Sequence, residues 1–179
     1  DRLGTIYIAD GHHRSAAASR VAAKLMAENP KHTGDEAYNT FLIVSFPKSE
    51  LKVLDYNRVI KDLNGLSLEE FIFKIGTAFK VGKSAKPFKP QSIRTFGMYV
   101  KGQWYCLEYT GATADQAMPV EDLDVSLLTT SILSPVLGIG DPRTDPRIDF
   151  VGGIRGMSEL EKRVDRGGWA VAFSLYPTS

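Results

Sequence analysis

Phe96-Gly97-Met98-Tyr99-Val100-Lys101-Gly102-Gln103-Trp104-Tyr105-Cys106-Leu107-Glu108-Tyr109 reads as two short strands folded back on a two-residue turn. Phe96, Met98 and Val100 alternate on one side, the period of two that a pleated strand imposes, and Lys101-Gly102 supplies the turn. Working outward, Ser67-Leu68-Glu69-Glu70 is a capping box that opens a helix expected to reach Phe79, with Leu68, Phe71, Ile72 and Ile75 on its apolar face. Gly82 to Gln91, with two Pro and three Lys among Ser and Ala, reads as a loop. Further on, the pattern predicts a helix from Val125 to Leu137 and a strand from Ile148 to Val151. A helix capped by Ser158-Glu159-Leu160-Glu161 then stops at Gly167-Gly168, and a last strand runs from Trp169 to Tyr176. Toward the N-terminus, strands are expected over 5–9 and 39–46, with a helix over 13–28 and a polar loop from Asn29 to Glu36 between them. Together these elements predict an α+β fold, a mixed sheet with flanking helices, in one domain or as two lobes, 1–66 and 67–179.

The stretch richest in chemistry is Tyr7-Ile8-Ala9-Asp10-Gly11-His12-His13-Arg14-Ser15. An apolar run passes through a Gly turn into an Ala-rich helix, so the free amides of the first turn carry the positive end of the helix dipole. Such a helix start is an anion site, and Arg14 adds a fork that fits a phosphate or carboxylate. Gly11, His12, His13, Arg14 and Ser15 are the candidate phosphate-binding residues, and Asp10, His12 and Arg14 the candidate catalytic ones. Asp10 is suited to accept Mg²⁺ or orient a hydroxyl, and His12 to hold a phosphate oxygen or pass a proton. The plainer reading makes Asp10 a helix cap and the two histidines solvated first-turn residues. Adjacent helical side chains diverge by about 100°, so His12 and His13 do not form a ready metal pair; no metal site is expected.

That stretch, together with Leu54-Asp55-Tyr56-Asn57-Arg58-Val59-Ile60-Lys61-Asp62-Leu63-Asn64-Gly65-Leu66 and Asp145-Pro146-Arg147-Ile148-Asp149-Phe150-Val151-Gly152-Gly153, resembles the bacterial and archaeal family called domain of unknown function ten-fifteen. Its members carry a ParB-like label. The Asp-Gly-His-x-Arg block, here Asp10, Gly11, His12 and Arg14, is similar to that of the ParB/sulfiredoxin superfamily, which includes nucleotide-dependent kinases of free serine. The resemblance implies an intracellular nucleotide-binding protein with a strand-Gly-helix anion site. Sulfiredoxin carries a reactive Cys where this chain has Gly11, and the only cysteine here, Cys106, lies far off in a strand pattern. ParB proteins continue into a basic DNA-reading helix-turn-helix, of which there is no sign. The related serine kinases place an acidic residue upstream of the block; this chain starts at Asp1 without Met and is expected to be a fragment lacking part of such a site.

Other motifs remain open or fail. Gly82-Lys83-Ser84 lacks the upstream glycine of a P-loop at the required spacing, Gly76 being one residue too far. Gly152-Gly153-Ile154-Arg155-Gly156 is either a second anion loop or a Gly-rich turn, and Asn57-Arg58 either a ligand contact or an exposed edge charge. The resemblance favours the ligand reading of Asn57-Arg58; Asn57, Arg58 and, from the Gly-rich segment, Arg155 are the candidate substrate-binding residues. Asp141, Asp145 and Asp149 stand four apart with prolines between, a spacing better suited to a solvated loop than to a Ca²⁺ loop.

The chain of 179 residues, 43% hydrophobic, is long enough to bury a core. Its 22 Lys and Arg against 21 Asp and Glu leave a net charge of +1, without the electrostatic footprint that duplex DNA binding needs. One cysteine forms no internal disulfide, and no apolar run of about 20 residues suggests a membrane span. A cytoplasmic protein is the expectation, and homo-oligomerisation is compatible with the sequence. The leading functional expectation is a phosphotransferase using ATP or ADP with Mg²⁺ on a small hydroxyl-bearing metabolite, such as an amino acid. The alternatives are a ParB-like nucleotide-binding regulatory module and a structural or interaction domain.

Overall fold

The computed structural model describes residues 4–112 and 120–178. The chain forms two compact units, Asp1–Leu51 and Lys52–Ser179.

In the first unit the Ala-rich segment forms helix α1 (His12–Glu28) as its composition predicts, but none of its residues is buried. The strands expected at 5–9 and 39–46 do not form. β-branched and aromatic residues favour an extended backbone, yet a strand exists only when a neighbour supplies a ladder, and neither run pairs with another segment. Tyr7, Leu42 and Val44 are consequently exposed. The loop after α1 is organised by one carboxylate. Glu36 accepts from the Thr33 backbone N–H at 2.8 Å, the Gly34 N–H at 3.0 Å and Asn39 Nδ2 at 3.1 Å, with His32 Nδ1 at 3.1 Å.

The second unit is built on six strands. These are β1 (Tyr56–Ile60), β2 (Phe79–Ser84), β3 (Thr95–Val100), β4 (Gln103–Tyr109), β5 (Ile148–Gly152) and β6 (Val171–Leu175). They form one sheet in the order β2-β4-β3-β6-β1-β5. Every neighbouring pair is antiparallel, not mixed as expected. The reason lies in the connections. A parallel pair needs a crossover between adjacent strands, but α2 (Leu68–Ile75), α3 (Asp124–Leu128) and α4 (Met157–Arg166) each link strands that are not neighbours. The division between units falls ahead of β1, whose bonds to β5 and β6 tie it to this sheet.

Alternation then sorts the side chains. Ile60, Phe96, Met98, Val100, Leu107 and Phe173 meet Phe71, Ile75, Leu128 and Leu133 from the helical segments in the larger core. Val59, Tyr99, Trp104 and Ala172 turn the other way and pack with Leu160 of α4. The hairpin at Lys101-Gly102 stands as read, with φ of 48° and 77° fitting the tight turn. The Ser67/Glu70 capping box is present in both directions.

Several boundaries differ from the sequence reading. Helix α2 stops at Ile75, because Phe79 starts β2 with its ring in the core. Gly82, Lys83 and Ser84 belong to β2 instead of a loop, paired with Cys106, Tyr105 and Trp104. The helix expected over 125–137 is α3 followed by a π-helical turn, Thr129–Leu133, where Ser134 N–H reaches Thr129 O at 2.9 Å. Pro135 has no N–H to continue a regular ladder, and Thr129 and Thr130 bond back to the carbonyls of Val125 and Ser126. Helix α4 starts two residues early with Gly156 as its cap, so Ser158 caps nothing.

The two Asp-Pro-Arg triplets build the same turn twice. Arg143 donates its backbone N–H and its guanidinium to Asp141, and Arg147 does the same to Asp145. Arg147 goes further: Nη1 donates to Leu137 O at 3.2 Å and Nη2 to Gly138 O at 2.6 Å, closing the end of the helical segment. Asp149 instead pairs with Arg163 of α4 at 3.0 Å. No cluster of His, Cys, Asp or Glu able to hold a metal occurs among the described residues.

Two outcomes are expected. The Thr33 N–H leads the hydrogen bonds that hold Glu36 at about 2, below its ordinary 4.5. A depressed carboxyl stabilises the folded loop above pH 4.5 and loses that contribution as pH falls toward 2. An NMR titration of the Glu36 carboxyl carbon should show this midpoint; a midpoint in the ordinary carboxylate range contradicts the network. Arg147→Ala leaves the Leu137 and Gly138 carbonyls without their guanidinium donor and Asp145 with the backbone N–H of residue 147 but no cation, and denaturant unfolding should register a loss of about 2 kcal/mol. Arg143→Ala, which removes an exposed side chain, should cost well under half as much.

Candidate functional site

The first candidate is the start of α1. Gly11 is the N-cap with φ 81° and ψ 25°, a left-handed conformation that favours glycine. The first helical bond of α1 runs from Ser15 N–H to Gly11 O at 2.9 Å, so the amides of His12, His13 and Arg14 lie ahead of the helical ladder. Asp10 does not cap the helix; its carboxylate accepts from Arg14 Nη2 at 3.2 Å, with 75% of the Arg14 side chain and 93% of the Asp10 side chain exposed. That pair draws the guanidinium back across the turn, where a Cβ added to Gly11 would lie 3.1 Å from Nη2. His12 and His13 are exposed and Ser15 is half-buried. The site is therefore a turn with open amides beside an Asp-Arg pair. The residues before Gly11 form no strand, so the expected strand-Gly-helix becomes an unpaired run entering the same turn.

The second unit separates the other named residues. Asn57 and Arg58 are neighbours on β1 and so point to opposite faces. Asn57 is fully buried: Nδ2 donates to Asp55 at 2.7 Å and Oδ1 accepts from Leu175 N–H at 3.1 Å, which occupies it inside the fold. Arg155 lies in the turn Gly153–Arg155, exposed, with Glu159 at 3.7 Å. Gly153 serves close packing, since a Cβ there would collide with the Asp55 carboxylate. Asp55 was invisible in the sequence as a core residue, yet its side chain is 1% exposed and pairs with Lys89 Nζ at 3.1 Å. Cys106 sits partly buried on β4, and burial together with Glu108 pushes its thiol up, away from nucleophilic character.

Arg58 is placed differently. With Tyr56 beside it on β1 and Phe150 opposite on β5, its guanidinium carbon sits 5.5 Å and 5.3 Å from the two ring centres, while the rings stack on each other at 5.2 Å. It donates to Tyr56 O and has no carboxylate partner among the described residues. Burial pushes its pKa down to about 10. Arg58 and Phe150 border a cavity of about 380 Å³ whose wall comes from α3 and the π-helical turn, including Val125, Ser126, Thr129 and Leu133. Sequence reading missed this wall. Its signal was the polar run Thr129-Thr130-Ser131 inside an otherwise apolar helical pattern, beside a proline. Among the described residues no helix is long and apolar enough to cross a membrane.

A family model described as "Protein of unknown function (DUF1015)" matches residues 2–126. No curated protein and no solved structure matches the chain.

Proposed function

The chain belongs to this family of proteins of unknown function, and we propose that it is a nucleotide-dependent phosphotransferase acting on small hydroxyl-bearing metabolites, with the Asp10 to Ser15 turn as its phosphate-binding element. The observation that carries this reading is the left-handed Gly11 turn, which leaves three helix-start amides open beside the Arg14 guanidinium. Backbone donors of this kind bind phosphate without a dedicated cation, and phosphoryl transfer asks chiefly for positioning and charge neutralisation. In this scheme the amides of His12, His13 and Arg14 hold a phosphate of ATP or ADP. Arg14 neutralises charge on the moving phosphoryl group. Asp10, once Arg14 turns to the phosphate, is free to orient the acceptor hydroxyl or to share Mg²⁺ with the nucleotide. His12 is within the same turn to hold a phosphate oxygen.

A ParB-like nucleotide-binding module without transfer chemistry is the second reading. It is favoured by the Asp10–Arg14 pair, in which the two groups that transfer requires satisfy each other.

Thermal shift and turnover measured on the full chain separate the two. ATP or ADP should raise the melting temperature, and Arg14→Ala should remove most of that rise. Asp10→Asn and Arg14→Ala should each lower turnover by a factor of about 100, or roughly 2.7 kcal/mol of transition-state stabilisation, while both variants keep the wild-type melting temperature without nucleotide. A nucleotide shift with no phosphorylated product supports the regulatory module. No shift with ATP, ADP or CTP overturns both readings.

A further inference from the structure

We propose that the cavity over Arg58 binds a small hydroxy or amino carboxylic acid, its carboxylate paired with the Arg58 guanidinium and its hydroxyl or ammonium donating to the hydroxyl row of the helical wall. The site lies wholly within the second unit and stands independently of the Gly11 turn.

The charge balance of the cavity selects a ligand with a single carboxylate. Asp141 and Arg143 both line it, but they neutralise each other through two bonds of 3.0 Å, leaving Arg58 as the one cation of the lining without an acid. A half-buried guanidinium fastened only to a carbonyl and two rings has given up water without gaining a counter-ion, and a bidentate carboxylate restores that interaction. Phosphate, with nearly two negative charges, asks for more cation than one arginine supplies.

The wall specifies the rest of the ligand. Ser126 Oγ donates to Val120 O at 2.7 Å, Thr129 Oγ1 to Val125 O at 2.7 Å and Thr130 Oγ1 to Ser126 O at 3.0 Å. Each hydroxyl proton is thus committed to the backbone, and what each still offers a ligand is acceptor lone pairs. A ligand that carries a donor beside its carboxylate satisfies both sides. The about 380 Å³ available is near the lower end of small-molecule sites, which suits a compact acid whose carbon body meets Val125, Leu133 and Phe150. π-helical turns such as Thr129–Leu133 occur often at functional sites, because the extra residue opens the helix and re-aims its side chains.

Heteronuclear NMR titration of the full chain with L-lactate, L-alanine, propionate and inorganic phosphate tests this. L-lactate or L-alanine should shift the amides of Thr129, Thr130 and Phe150 saturably, and propionate, lacking the donor, should bind about tenfold more weakly. Arg58→Gln should weaken binding by about tenfold to hundredfold while keeping the spectrum of the folded sheet. Thr130→Val should bring L-lactate and propionate closer together, a readout that survives even if Arg58→Gln fails to fold. The proposal is overturned if neither L-lactate nor L-alanine gives saturable shifts, if a folded Arg58→Gln binds them as well as wild type does, or if phosphate binds more tightly than both.

Discussion

Both faces of one antiparallel sheet must be kept from water, and the second unit is arranged around that constraint. β6 shows it most plainly: all five of its residues are buried, with Val171, Phe173 and Leu175 in the larger core and Ala172 in the smaller. A sheet wet on one side would have polar residues at every second position. Here α4 crosses between β5 and β6 over the intervening β1 and covers the smaller face, while α2, α3 and the π-helical turn cover the larger. Buried polar side chains within this sheet are therefore exceptions that need partners. Asn57 finds them in Asp55 and the Leu175 amide, and Ser174 in Phe88 O at 2.8 Å.

How legible this was depended on whether the signal was local. The β3–β4 hairpin and the Ser67 capping box could be read from their own residues, because turn chemistry and cap hydrogen bonds close within a few positions. The strand at Gly82 to Ser84 could not. Lysines and a glycine look like a loop until β4 supplies the ladder. The error at 39–46 is the converse: Phe41 to Phe46 has the composition of a strand, but no segment pairs with it. Of the named site residues, the Gly11 turn followed from glycine chemistry and formed at the expected position. The cavity was illegible, since it depends on Arg58, Phe150 and Thr129 meeting from segments far apart in the chain.

The fate of each arginine separates architecture from candidate chemistry. Arg147 is committed to Asp145 and two carbonyls, and Arg163 to Asp149 and Glu159. These are fasteners, and they hold the carboxyls of Asp145 and Glu159 below the ordinary carboxylate range. Arg14 is fastened too, but at the surface, where water screens the pair and a stronger anion can displace Asp10. Arg58 alone of these sits against rings in place of an acid. A cation–π contact holds a guanidinium in position without neutralising it, which leaves its hydrogen-bonding edge available.

The strand order also decides how the sheet ends. β2 and β5 are its two edges, and an edge strand offers unpaired backbone groups to any other chain that approaches. β2 carries Lys80 and Lys83 among its six residues, and its sequence runs on into Lys86-Pro87. A neighbouring chain adding itself there would have to strip water from those ammonium groups and then accommodate a proline that cannot donate to a ladder. β5 is short and gives way at Gly153 to a helical turn. The same lysine-rich stretch that disguised a strand as a loop thus guards the finished sheet against open-ended growth into fibrils.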